Sequence, residues 1–392
     1  MSSRKDIASR AASGLRAFSS SMASTPVTVG FDGFVDSIIA VVDKRHGIDS
    51  YDPVRTIEDF GRKIMDAAGQ SANYELAVKR RKLGGNGPIM ANALANIGLP
   101  TRYIGALGYP EIDEVFEGFA RKAEVHSICP PGYTDALEFE DGKLMLGKYE
   151  SINAVHPERI DEVVGRAAFA ELVAGSSLLG MVNWTMLAHM NEVFRRLIDD
   201  VLSKTSDPPL IFIDLADPEK RTREDLRRAL GLMTEMQAHA RVILGVNLKE
   251  AVQVAEALGI EVGADAEDEI ERLAFETREA LGLSGAVVHP RAGAAASIVE
   301  PGAGSASSAR FAGPFTRQPK ISTGAGDHFN AGFCVGRLAG LDVEAALCVG
   351  TATSGYYVRE AETPTLEQLA GFCEELPAPD PSGGPERGGG AA

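Results

Sequence analysis

The chain has 392 residues, 44% hydrophobic and 24% charged, and a formal net charge of -16. That is ordinary globular composition with material for a large core, and so acidic a chain has no reason to seek nucleic acid or an anionic membrane surface. The four cysteines, Cys129, Cys334, Cys348 and Cys373, form no CxxC pair and no zinc-spaced cluster, which implies free thiols in a reducing cytoplasm, and no apolar run approaches the roughly 18 residues that span a bilayer.

The first 25 residues carry Arg4, Lys5, Arg10 and Arg16 against a single acid, Asp6, among many Ser and Ala. An organelle transit peptide has such a composition; a secretory signal does not, for want of a continuous apolar stretch. The preferred expectation for residues 1–25 is a surface helix or loose arm. Residues 25–30 (TPVTVG) then read as a short buried strand, and 37–42 (SIIAVV) as a second. Residues 57–68 have helical periodicity. A glycine-rich turn, 83–88 (LGGNGP), opens a helix over 89–97 that Gly98-Leu99-Pro100 stops. Residues 101–107 are strand-like, and 133–149 alternate about Asp141-Gly142 as a β-hairpin.

From about residue 170 the pattern repeats strand then helix. The strands fall at 177–183, 209–214, 241–247 and 285–289, with helical segments such as 224–229 and 250–258 between them. Apolar strands alternating with amphipathic helices argue for a parallel sheet covered on both faces. Such a sheet binds ligands beyond the carboxyl ends of its strands. Residues 376–392 are rich in Pro and Gly and are expected to be a disordered tail.

Four motifs fall at those strand ends. Ser322 to Phe333 reads STGAGDHFNAGF. Gly324, Ala325 and Gly326 let a ligand approach the backbone, and the following helix offers unpaired N–H groups and a positive dipole end to an anion. Asp327 at its start can accept a proton from an attacking hydroxyl; an Asp N-cap is the plainer account. Gly84-Gly85-Asn86-Gly87 gives backbone access, and an amide that both donates and accepts. Asp32 and Asp36 follow the first strand and can bind polyol hydroxyls, or stand as solvated turn acids. Asn247-Leu248-Lys249-Glu250 is either a capping pattern or a Glu that organises magnesium-bound water.

Together these residues resemble the ribokinase family, the PfkB carbohydrate kinases, over roughly residues 26–375. Ser322 to Phe333 resembles the C-terminal GAGD signature, Gly84 to Gly98 the N-terminal GGN signature, Asn247 to Glu250 the NxxE motif, and Asp214, Asp217, Pro218 and Arg221 a DPxxR-like strand end. The resemblance implies a ribokinase-like three-layer α/β sandwich with a mainly parallel central sheet. A small β-sheet lid would come from about 34–50 and 129–150, and homodimerisation through that lid is expected. The implied reaction moves the terminal phosphoryl group of ATP, with ADP as the other donor and Mg2+ as cofactor, to a hydroxyl of a sugar-like substrate. Asp327 would be the base and Gly324 to Gly326 the anion hole. Asp32, Asp36, Gly84, Gly85 and Asn86 would meet the acceptor. Asn247, Glu250, His289, Arg291, Thr323 and Asn330 would line the nucleotide, Glu250 holding the metal indirectly through water.

Two departures stand out. Ile321 cannot supply the side-chain ligand of the family's monovalent-cation site, and Val287-Val288-His289-Pro290-Arg291 replaces the family's VVTLG strand end. The alternatives are a nucleoside kinase, with Trp184 as the one tryptophan able to clamp a base, and an inactive sugar-binding paralogue. A Rossmann dehydrogenase is set aside because no G-x-G-x-x-G follows the first strand.

Overall fold

The computed structural model describes residues 3–380, so most of the expected tail lies outside the described residues. In chain order the strands are β1 (Val27–Phe31), β2 (Phe34–Arg45), β3 (Tyr51–Pro53), β4 (Leu76–Gly84), β5 (Thr101–Gly105), β6 (Glu124–Ser127), β7 (Gly132–Phe139), β8 (Gly142–Lys148), β9 (Leu178–Val182), β10 (Leu210–Asp214), β11 (Val242–Val246), β12 (Gly285–Val288), β13 (Gly293–Val299) and β14 (Ala306–Ala312). Nine of them form the main sheet, in the order β14-β13-β12-β11-β10-β9-β1-β5-β6. From β12 to β6 the pairing is parallel; β13 and β14 add an antiparallel edge.

Strands β1, β9 and β11 are buried at every residue, as strands covered on both faces must be. Their side chains alternate between two separate cores. Val27, Val29, Tyr103, Phe212 and Ile243 pack with the helices Asn86–Ile97, Ala325–Leu338 and Val343–Glu360. Ile104, Ile211, Ile213 and Leu244 pack with the helices on the other face, and Phe31, at the end of β1, joins them out of that alternation. Helices, sheet and helices thus form three layers.

The N-terminal segment is no loose arm. Arg4–Phe18 is a helix with a Ser3–Asp6 capping box, and it buries Ile7, Ala8, Ala11, Ala12, Leu15 and Phe18 in the first core. That spacing is one helical stripe. Arg10 bonds Glu344 at 2.9 Å, and Arg16 bonds Glu367 at 3.0 Å, tying it to the C-terminal helices.

The second sheet contains β3, β2, β7 and β8, with β4 also paired to β2. Ile39, Val41, Val54, Phe60 and Leu137 make its small core under the helix Ile57–Asp66. Only Asp32 and Gly33 separate β1 from β2, so this lid is rooted where the interior strand β1 ends. No described helix is long and apolar enough to cross a membrane, and all four cysteines are free and buried.

Candidate active site

Asp32 leaves β1 at its carboxyl end. The expected contact with an acceptor is not what its geometry offers, because it has no exposed surface. Oδ2 accepts from Asn86 N (2.9 Å) and Asn183 Nδ2 (2.6 Å), and Oδ1 from Gly87 N (2.7 Å). Two of these three donors are amides of the first helical turn, so Asp32 anchors the N-terminus of the helix Asn86–Ile97. Burial still pushes it up to about 6. Asn183 takes φ 65° at the end of β9 to reach it.

The anchored helix start aims Asn86 across the site. Its Nδ2 donates to Asp327 Oδ1 at 2.9 Å. Asp327 stands in the first turn of Ala325–Leu338 after Gly324, whose φ of 91° suits a glycine. Burial, above all, pushes Asp327 up to about 8, with Asp32 and Glu250 repelling its charge. The Ala325 N–H turns back to Ser322 O (3.1 Å), leaving the Gly324 and Gly326 amides without a protein acceptor among the described residues. The expected anion hole is therefore narrower by one donor.

Asp214 ends β10, its Oδ1 accepting from Ala216 N (2.8 Å) and its Oδ2 from Asn330 Nδ2 (2.6 Å). Asn330, expected beside the nucleotide, has no exposed surface; three residues past Asp327 it faces Asp214, and its Oδ1 is buried without a partner. Asn247 and Glu250 form a reciprocal capping box, with Glu250 N to Asn247 Oδ1 at 3.0 Å and Asn247 N to Glu250 Oε2 at 2.9 Å. Glu250 Oε1 accepts from Asp217 N at 2.8 Å, within a turn where Ala216 and Asp217 both have positive φ. Burial raises Asp214 to about 7, with Asp327 and Asp32 repelling its charge, and raises Glu250 to about 8, with Asp214 repelling it.

His289 lies against Gly326: a Cβ there would stand 3.5 Å from His289 Cε1. The ring stacks on Phe329 at 4.6 Å, burial lowers it to about 4, and Nε2 is buried without a partner. Arg291 is exposed on the loop after β12. Thr323 meets the site through its backbone, its carbonyl accepting from Tyr357 Oη at 3.0 Å.

The lid contributes Asp36 from β2, opposite Lys82 of β4 and beside Thr134 of β7. It is buried and raised by that burial, and Lys82 Nζ stands 3.8 Å away. A Cβ on Gly84 would lie 2.5 Å from the Asp36 carboxylate, so only glycine fits between strand and acid.

Trp184 is fully buried, its Nε1 bonded to Asn191 Oδ1 at 2.8 Å and its face covered by the Arg221 guanidinium at 4.2 Å. It packs the core and presents no clamp to a base. The residues that sequence reasoning passed over are Asn183, His328, Tyr357 and Thr363. His328 lay inside the quoted motif; the others stand in no motif.

Asp32 and Asp214 at strand ends, with Glu250 and Asp327 in first turns of helices, are all buried acids, and no Lys or Arg is among their main electrostatic neighbours. Such a cluster favours a cation. Among the described residues no three His, Cys, Asp or Glu side chains converge as a metal cage. The acidic donor set would suit a hydrated Mg2+, which Glu250 and Asp214 would hold through water.

A family model described as prokaryotic ketohexokinase matches residues 5–376. The ketohexokinase of Haloferax volcanii is 30% identical over 353 residues, covering 88% of this chain and 90% of that protein. Among solved structures, a Cryptococcus neoformans ribokinase in complex with ADP superposes with a TM-score of 0.61 at 18% identity, over 88% of this chain and 99% of that one. Arabidopsis thaliana ribokinase complexed with ribose and ATP gives 0.60 at 15% identity, over 90% and 99%. At such identities the likeness speaks for the fold.

Proposed function

The chain belongs to the prokaryotic ketohexokinase family, within the ribokinase or PfkB carbohydrate kinases, and from that premise we propose that it phosphorylates a hydroxyl of a ketohexose with Asp327 as general base. It is a carbohydrate kinase that uses a nucleotide donor. The observation that carries the finer reading is Asp327 itself, buried, held by Asn86, and set beside free amides at a helix N-terminus.

In this reading the acceptor hydroxyl lies between Asp327 and the donor's terminal phosphate. Asp36 and Asn86 hold neighbouring sugar hydroxyls, and Gly84 and Gly85 let the sugar lie against backbone. The Gly324 and Gly326 amides receive the charge of the moving phosphoryl group. Thr323, His289, Arg291 and Asn247 line the nucleotide side. Mg2+, when bound with the nucleotide, neutralises phosphate charge, and Glu250 orders its water. ATP is the proposed donor, because the solved relatives above are complexes with ATP and ADP. Lid closure excludes water, which would otherwise accept the phosphoryl group. The exposed Leu76, Val78 and Leu146 of the lid support pairing of two lids in a homodimer.

The test is a coupled assay with Mg2+ and either ATP or ADP, across ketohexoses, ribose and adenosine. The highest kcat/KM is expected for a ketohexose with ATP. A higher value for ribose or adenosine would displace the ketohexose, and no turnover with any acceptor would leave an inactive binding protein.

A further inference from the structure

His328 follows the proposed base directly, yet its ring turns into the protein and keeps 2% exposure. Nδ1 lies 2.7 Å from the Gly324 carbonyl oxygen and Nε2 lies 2.9 Å from Thr363 Oγ1. A carbonyl oxygen only accepts, so Nδ1 carries the proton and Nε2 accepts from the Thr363 hydroxyl. The ring lies flat on Tyr357, 3.6 Å between centroids at 13°. The Tyr357 hydroxyl donates to the Thr323 carbonyl at 3.0 Å.

Two side chains stacked on each other thus hold two consecutive carbonyls of the glycine turn. In a trans peptide the N–H points opposite to the C=O. Fixing the Thr323 carbonyl therefore aims the Gly324 amide, one of the two left free for an anion. The Gly324 carbonyl already accepts the His328 backbone N–H at 3.1 Å, and the Nδ1–H adds a second hold on it, stiffening the turn after a glycine with φ 91°. The hold continues on the far side. Asn96 Nδ2, in the last turn of Asn86–Ile97, donates to the Thr363 carbonyl at 2.8 Å. The first residue of that helix is Asn86, which reaches Asp327. Both ends of one helix are therefore fastened to the phosphoryl turn.

We propose that His328, Tyr357 and Thr363 are positioning residues, a strut that aims the amides of the 323–326 turn at the phosphoryl group in transit. The proposal rests on the sugar kinase reading, and none of the three touches substrate in it. Its test uses the full chain and variants His328→Leu, His328→Asn and Tyr357→Phe. Loss of one such hold should lower kcat about 100-fold in His328→Leu and about 10-fold in Tyr357→Phe, with the sugar KM within about twofold. His328→Asn, whose amide N–H can stand where Nδ1–H stood, should recover most of that loss. Hydrogen exchange in the ligand-free protein gives a readout independent of turnover. Amides of residues 323–328 should exchange faster in His328→Leu and Tyr357→Phe than in wild type and His328→Asn. Unchanged exchange there in both disabling variants overturns the strut. So does a kcat loss in His328→Leu that follows a lowered Tm and that His328→Asn does not restore. Tyr357→Phe removes one oxygen and keeps the stack, so it remains informative if His328→Leu folds poorly. Wild type without turnover on any sugar overturns the kinase reading instead, and the exchange comparison still judges the strut.

Discussion

Asp327, pushed up to about 8, holds its proton near neutrality in the ligand-free protein. It must shed that proton before it can take one from a hydroxyl. The kcat/KM for sugar should therefore rise with pH up to about 8, measured under conditions where the nucleotide is saturating. Asp327→Asn should lower kcat by about 100- to 10,000-fold while leaving sugar KM nearly unchanged. The same variant should gain stability. A carboxyl whose folded pKa lies above its unfolded value destabilises the fold increasingly as pH rises between those values. The Tm advantage of Asp327→Asn should thus be small at pH 5 and grow to several degrees by pH 9; a variant less stable than wild type at pH 9 contradicts this.

Asp32 and Asp36 invite the opposite experiment. Removing the Asp32 carboxylate orphans donors at a buried helix start, so Asp32→Ala should cost about 2–3 kcal/mol in denaturant unfolding. Asp36→Asn should leave stability close to wild type and raise sugar KM at least about 10-fold. Sequence alone could not separate these acids, because both follow the same strand and chemistry treats them alike. What divides them is the partner that the fold brings: Asn183 and the Asn86 amide for one, the Lys82 ammonium 3.8 Å away for the other. The GAGD and GGN turns were legible because glycine before a helix carries its own physical meaning. Tyr357 and Thr363 were not, since a tyrosine in a helix and a threonine in a loop acquire a role only from the His328 ring that the fold brings to them.

At the scale of elements, the N-terminal segment was expected as a surface helix or a loose arm. It is a helix, and its stripe Ile7, Ala8, Ala11, Ala12, Leu15 and Phe18 packs a core. Deleting residues 1–18 should expose that stripe's counterpart on the C-terminal helices and abolish the cooperative unfolding transition seen by circular dichroism. The buried parallel strands were readable because burial on two faces demands a continuous apolar run. Strand β4 hid behind Lys79, Arg80, Arg81 and Lys82, charges suited to the open edge of a lid. Strand β14 is built largely of Ser and Ala, which carry little strand preference of their own.

Across the whole molecule, the lid is rooted in the body through the short joint after β1, an interior strand of the main sheet. If two lids pair as proposed, light scattering should give a dimer mass, and Val78→Lys with Leu146→Lys should shift it toward monomer. That joint between β1 and β2 is tight. A Cβ on Gly33 would fall 1.9 Å from the Ala106 carbonyl oxygen, so no side chain is admitted there. Any side chain at Gly33 would have to push the chain after β5 aside, so replacement there displaces the lid and the body together.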